Sequence, residues 1–222
     1  MSRRLSRGLA RLGLAVTGLA LVPGTVDAEV RASTEFHAYV VGGTTPGALI
    51  SYMRRRPFPG DYGPAVANIR PHYILSVETT FGDAVCRVKD LDLAVNFVIT
   101  VPQARTPTAF SPVTWSAWSN FVDFATRHEE THRSIYVDCA NDFVAKTATL
   151  VASDCTDLRT TIATQFKAAN RACERRQLAF DRGEYRKVLR LSLFSGRGSA
   201  KRKPAPVRNG NFPSSAMGAP PR

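Results

Sequence analysis

The run PVTWSAWSNFVDFATRHEETHRSIYVDCANDFVAKTATL, residues 112–150, holds no glycine and no proline after its first residue. Trp115, Trp118, Phe121, Val122 and Ala125 recur at the three- and four-residue intervals of one helix face, with Ser111 as N-cap and Pro112 at the first turn. This spacing predicts one long helix from Pro112 to Leu150. A second such run, from about Thr156 to Arg182, carries Leu158, Ile162 and Phe166 at helical spacing. Only Ala152 to Cys155 separates the two, and so short a connector makes them an antiparallel helical hairpin.

Upstream, the signals change to strand. EFHAYVV, residues 35–41, is short and rich in β-formers, and GGTTPGALISYMRRR turns it into a helix over about Pro46 to Arg56, with a threonine cap. RPFPGDYGP reads as a loop. Two strand-like runs follow, Ile69 to Thr79 and Cys86 to Val101, joined at Phe81-Gly82-Asp83 as a hairpin. In the second, Leu93, Val95, Phe97, Ile99 and Val101 alternate with Asp92, Ala94, Asn96, Val98 and Thr100, so one face meets a core. Pro102 ends that strand, and a loop runs to Pro112. The fold class is α+β: an N-terminal strand, helix and β-hairpin sheet packed on a C-terminal antiparallel helical hairpin. The chain shows no internal repeat.

The two ends differ from this body. MSRRLSRGLAR is basic, LGLAVTGLALVPG is an apolar run too short to span a bilayer, and Thr25-Val26-Asp27-Ala28 suits cleavage after Ala28. Residues 1–28 therefore read as a secretory signal peptide, the alternative being an uncleaved amphipathic anchor. Arg3-Arg4 is a poor twin-arginine match because Ser6 stands where an apolar residue belongs. Of the formal net charge of +12, residues 186–222 contribute nine Lys or Arg and no acid, while 29–185 balance at 17 basic and 17 acidic residues. A neutral body gives no footprint for specific nucleic-acid binding. The stretch from 186 to 222, rich in Gly, Pro and Ser, reads as a disordered basic tail, a tether to anionic surfaces or a solvated extension. Cys86, Cys139, Cys155 and Cys173 in an exported chain read as two disulfides, with three pairings open. No transmembrane segment is expected after signal cleavage.

The centre of the long helix carries HEETH, residues 128–132. Residues four apart are rotated by about 40° and raised by about 6 Å, so His128 and His132 leave the helix on one face and can grip one ion. Glu129 is rotated by about 100° from His128, placed to act as general base on the attacking water rather than to bind the metal. With four His and seven Glu in 222 residues, the chance expectation for HExxH is on the order of 0.002 strings. The motif points to a Zn2+ site, on which two solvated histidines are the bland alternative.

Such a site needs a third protein ligand. A metzincin would have glycine at Ile135 and its ligand at Asp138. With no glycine the helix continues and carries Asp138 about 9 Å along the axis, away from the pair. Cys139 lies on the right face but about 10.5 Å beyond His132, which suits a disulfide better. If the hairpin turns near residue 153, His132 faces about residue 174 and His128 about residue 178. Glu174, Asp181 and Glu184 are all within reach on that geometry, which does not choose among them.

The stretches AYVVGGTTPGALISYM, the Cys86 strand, HEETHRSIYVDCA, DCTDL and AFDRGEY, spread over Phe36 to Tyr185, together resemble a bacterial family of predicted secreted zinc-dependent proteases, catalogued as domain of unknown function nine-twenty-two. The family's final segment has a tyrosine-aspartate pair, a threonine and a histidine-glycine. Phe180-Asp181 matches the pair, Glu184 replaces the threonine, and Arg186-Lys187 stands in place of histidine-glycine. The resemblance implies Asp181 as third ligand, with Glu184 the substitute if the family's ligand is the missing histidine. Thr131 stands where the family often has glycine, a change a helix tolerates.

The expectation is an exported zinc metallopeptidase whose domain spans 29–185, with His128, His132 and Asp181 on the metal and Glu129 as base. Its substrate would be a peptide or protein, held by pairing with strand 92–101. A zinc amidase of cell-envelope polymer and an inactive envelope binding protein are the alternatives. His37 and His72 read as structural, Tyr136 as a core tyrosine, and Trp115 and Trp118 as hairpin core.

Overall fold

A computed structural model of the chain describes residues 27–60 and 63–195. The elements in order are β1 (Asp27–Val41), α1 (Pro46–Arg55), β2 (Phe58–Gly60), β3 (Gly63–Ala65), β4 (Asn68–Gly82), β5 (Val85–Ala104), a 3-10 turn at Pro107–Ala109, α2 (Pro112–Thr147), β6 (Val151–Ala152), α3 (Cys155–Val188) and α4 (Ser192–Ser195). The architecture is α+β, a mixed four-stranded sheet packed against α2 and α3, which also pack on each other. Of the leader read at 1–28 and the basic tail read at 186–222, residues 1–26 and 196–222 lie outside the described residues, while 27–28 belong to β1 and 186–195 to α3, its end and α4.

β5 is the centre of the sheet. It pairs parallel with β1 along Asp90–Ala104 and antiparallel with β4 along Val85–Thr100. Leu91, Leu93, Val95, Phe97 and Ile99 are at most 1% exposed, and the residues between them are half-buried, as the alternation requires. Both sides of residues 92–100 are thus taken, which overturns the expectation that this strand pairs with substrate. β5 also runs through Pro102 to Ala104: β4 begins opposite Thr100, so beyond that point β5 is an edge on β4's side, where proline is tolerated.

Several boundaries move for local reasons. β1 starts at Asp27, well before Glu35, because as an outer strand it needs no apolar alternation to hold its place. RPFPGDYGP contains the small hairpin β2–β3. The β4–β5 turn is Asp83–Ala84, one step past Gly82, with both residues at positive φ between the Gly82 and Val85 pair. Gly43 has φ +124, and a Cβ there would meet the α1 backbone at 2.8 Å, so glycine is required where the chain leaves β1. The folded body does not stop at Tyr185: α3 continues to Val188, and in α4 Leu193 is 1% exposed and Phe194 packs on Phe121.

Two apolar cores result. The larger lies between the sheet and the α2–α3 pair, with Phe143, Val144, Leu158 and Ile162 over β5, and Tyr136 packs there against Phe97. The smaller gathers Leu49, Met53, Ala117, Trp118, Phe121 and Leu193 where α1 and α4 meet the start of α2. Trp118 is buried, but in this smaller core rather than in the hairpin core expected for it, and Trp115 is half exposed.

One disulfide ties the helical hairpin to the sheet and the other staples its two helices together. Cys86–Cys155 ties the start of β5 to the start of α3, beside the β5–β6 pairing, and Cys139–Cys173 ties α2 to α3. The bridges suit a compartment outside the reducing cytosol. Among the described residues no helix is long and apolar enough to cross a membrane. With its cysteines 69 positions apart, the first bridge restricts the unfolded chain strongly. Replacing Cys86 and Cys155 together by serine is expected to lower the unfolding free energy by about 2–4 kcal/mol in guanidinium titration. An unchanged midpoint would show that the sheet holds α3 without the staple.

Candidate metal centre

HEETH lies in the middle of α2, more than three turns from either end, so the helix itself fixes its side-chain directions. On the facing helix, Cys173, Gln177 and Asp181 are spaced four apart and form one stripe along α3. The stripe meets α2 residue by residue: Cys173 bonds Cys139, Gln177 meets His132, and Asp181 meets both His132 and His128. A symmetric turn at residue 153 would set His132 against residue 174. The register instead lies about three residues further along α3, set by the β6 pairing and the two disulfides.

Three potential ligand atoms converge there. Asp181 Oδ1 is 3.1 Å from His128 Nε2 and 2.8 Å from His132 Nε2, and the two imidazole nitrogens are 3.0 Å apart. Among the described residues this is the group of three that can hold a metal ion. A tetrahedral zinc bound at 2.0–2.1 Å needs donors about 3.3 Å apart, so an opening of a few tenths of an ångström accommodates it. Two imidazoles and a carboxylate also leave a fourth position for a reacting group.

The remaining candidates sit elsewhere. Glu184 pairs with Lys187 at 2.6 Å, and Glu174 is not in the group. Asp138 faces Arg176 at 3.7 Å and Cys139 is in its disulfide, as their helical positions require. His37 lies on β1 hydrogen-bonded to Glu35, and His72 is exposed on β4.

Aromatic rings surround the histidines. His128 stacks between Phe124 and Phe180, with centroids 6.1 and 4.9 Å away, and Phe180 meets His132 edge-on. This apolar enclosure shapes the charges. Burial alone would raise the Asp181 carboxyl, but hydrogen bonds from His128 and His132 and their charges outweigh it and hold it at about 2. Burial works against protonating His132, yet Asp181, Gln177 and Glu129 together raise its pKa. Glu129 is 5% exposed. Burial pushes its carboxyl up to about 7, with His132 acting to lower it and Asp181 to raise it. Among the described residues none donates a hydrogen bond to that carboxylate, which therefore keeps both oxygens free.

Gln177 is the residue that motif reasoning misses. Only its place between Cys173 and Asp181, four residues from each, signals that it shares their face.

A family model described as "Bacterial protein of unknown function (DUF922)" matches residues 36–186. The chain belongs to this family. The DUF922 match takes in every element from the end of β1 to most of α3, including both helices of the candidate centre. No curated protein and no solved structure matches the chain.

The buried Glu129 makes stability pH-dependent in a defined direction. Below its ordinary value of 4.5 it is protonated folded or unfolded; between 4.5 and about 7 the folded state holds the extra proton, so stability falls as pH rises. In chelator-treated protein, Glu129→Gln is therefore expected to gain stability over wild type across that window, by on the order of 3 kcal/mol in all. Denaturant titrations of both proteins at several pH values measure this, and parallel pH profiles would show that Glu129 is not desolvated.

Proposed function

We propose that this DUF922 protein is an exported zinc-dependent peptidase. The observation that carries the reading is the convergence of His128, His132 and Asp181 from two helices beside a buried Glu129 that has no hydrogen-bond donor among the described residues. His128 and His132 would offer their Nε2 atoms to the ion and Asp181 its carboxylate. When bound, zinc would polarise the scissile carbonyl and acidify the attacking water.

Glu129 is the base. Its carboxylate takes a proton from the attacking water and returns it to the leaving amine nitrogen; burial raises its basicity, and a bound cation would act in the opposite direction. Phe124 and Phe180 exclude solvent from the histidine side, which strengthens each charge interaction at the site.

An extended peptide would pair along the outer edge of β1, which no strand covers among the described residues. Arg133, next to His132, donates through Nε to Thr34 Oγ1 at 2.7 Å and so sets the middle of β1 beside the HEETH turn. Phe36, on the same strand, is half exposed although its register partner Ile99 is fully buried, an apolar contact for a substrate side chain.

The test is zinc content and hydrolysis of a peptide library by the purified chain and two variants. Glu129→Gln is expected to keep its zinc and lose at least about a hundredfold in kcat, and Asp181→Ala to lose its zinc. A Glu129→Gln protein that cleaves as fast as wild type removes the base. A wild type that cleaves envelope-polymer amides and no peptide moves the substrate class.

A further inference from the structure

We infer that Gln177 is a positioning residue that locks the tautomer of His132 and aims its Nε2 at the metal position. This rests on the reading that His128, His132 and Asp181 hold an ion. The argument is one of donors and acceptors. Gln177 makes two contacts, both to His132: its Nε2 lies 3.1 Å from the His132 carbonyl oxygen, and its Oε1 lies 2.5 Å from Nδ1 of the ring.

A carbonyl oxygen only accepts, so the amide nitrogen must face it. The amide oxygen must then face the ring, and an amide oxygen also only accepts. Nδ1 therefore carries a hydrogen whether or not an ion is present, and Nε2, which without an ion donates its own hydrogen to Asp181, is the nitrogen free to offer a lone pair when an ion takes that hydrogen's place. Flipping the amide would set oxygen against oxygen on one side and NH2 against the ring on the other. Gln177 is 4% exposed, so water cannot readily take over either bond.

The two histidines are thus held by different means. His128 Nδ1 is buried with no hydrogen-bond partner among the described residues, and its ring is oriented by stacking on Phe124 and Phe180. Gln177 is the hydrogen-bonding support of the pair, supplied by α3 one turn before Asp181. The helix that brings the carboxylate also orients one of the imidazoles it must work with.

The experiment compares the full chain with Gln177→Glu and Gln177→Leu. Zinc affinity by chelator competition is expected to fall ten- to a hundredfold in Gln177→Leu and by clearly less in Gln177→Glu, whose carboxylate still accepts from Nδ1–H although its second oxygen meets the His132 carbonyl. Equal affinity in wild type and Gln177→Leu overturns the proposal, as does a Gln177→Glu protein as weak as Gln177→Leu. Nitrogen-15 spectra of the His132 ring in wild type, taken above the histidine titration range, give the tautomer directly. Protonated Nδ1 is expected, and an Nδ1 without a hydrogen overturns the proposal even if neither variant folds. A wild type that binds no zinc but shows protonated Nδ1 removes the metal reading and leaves the tautomer lock standing.

Discussion

The register between α2 and α3 is the constraint on which the rest depends. HEETH alone supplies two imidazoles and a carboxylate on one helix. The opposing group comes from a second helix some fifty residues on, and a shift of one residue along α3 would turn Asp181 about 100° away from the histidines. Three contacts fix the match along one seam: Cys139 with Cys173, His132 with Gln177, and both histidines with Asp181. The base of the hairpin is tied to the sheet by Cys86–Cys155 and by the short β6 pairing. By the chain-entropy model each bridge contributes about 4 kcal/mol, comparable with much of the net stability of a domain this size. The staples therefore serve the geometry of the centre as well as the stability of the fold.

Most polar groups at the seam have a defined counterpart. Asp181 is stabilised as an anion by two histidines, His132 by Asp181 and Gln177, and the apolar faces of Phe124 and Phe180 keep water from weakening those contacts. Two groups are exceptions: His128 Nδ1, and Glu129, a buried carboxylate with no donor among the described residues. Such a group destabilises the fold when ionised, and its retention next to two convergent imidazoles is the reason to read it chemically rather than structurally.

What was legible in the sequence was what repeats at short range. The period of two in β5 and the uninterrupted run of α2 identified both elements, and the four-residue spacing of His128 and His132 put them on one face. Long-range pairing was not legible. β1 is parallel to β5, a contact between residues 63 positions apart such as Glu35 and Val98, and nothing local to either strand encodes it. That pairing makes β5 central and moves the open edge to β1. The α3 register was invisible for the same reason: it depends on which cysteines pair, and four cysteines allow three answers. Asp181 was reached through family resemblance, and Gln177, which belongs to no motif, was not reached at all.

The most direct test of the account is anomalous diffraction at the zinc edge from crystals of the zinc-loaded chain. It predicts one strong site bonded to His128 Nε2, His132 Nε2 and the Asp181 carboxylate, with the Gln177 amide on His132 Nδ1. A metal held by Glu184 or Glu174 with Asp181 turned away, or an ion that avoids the HEETH histidines, would contradict it.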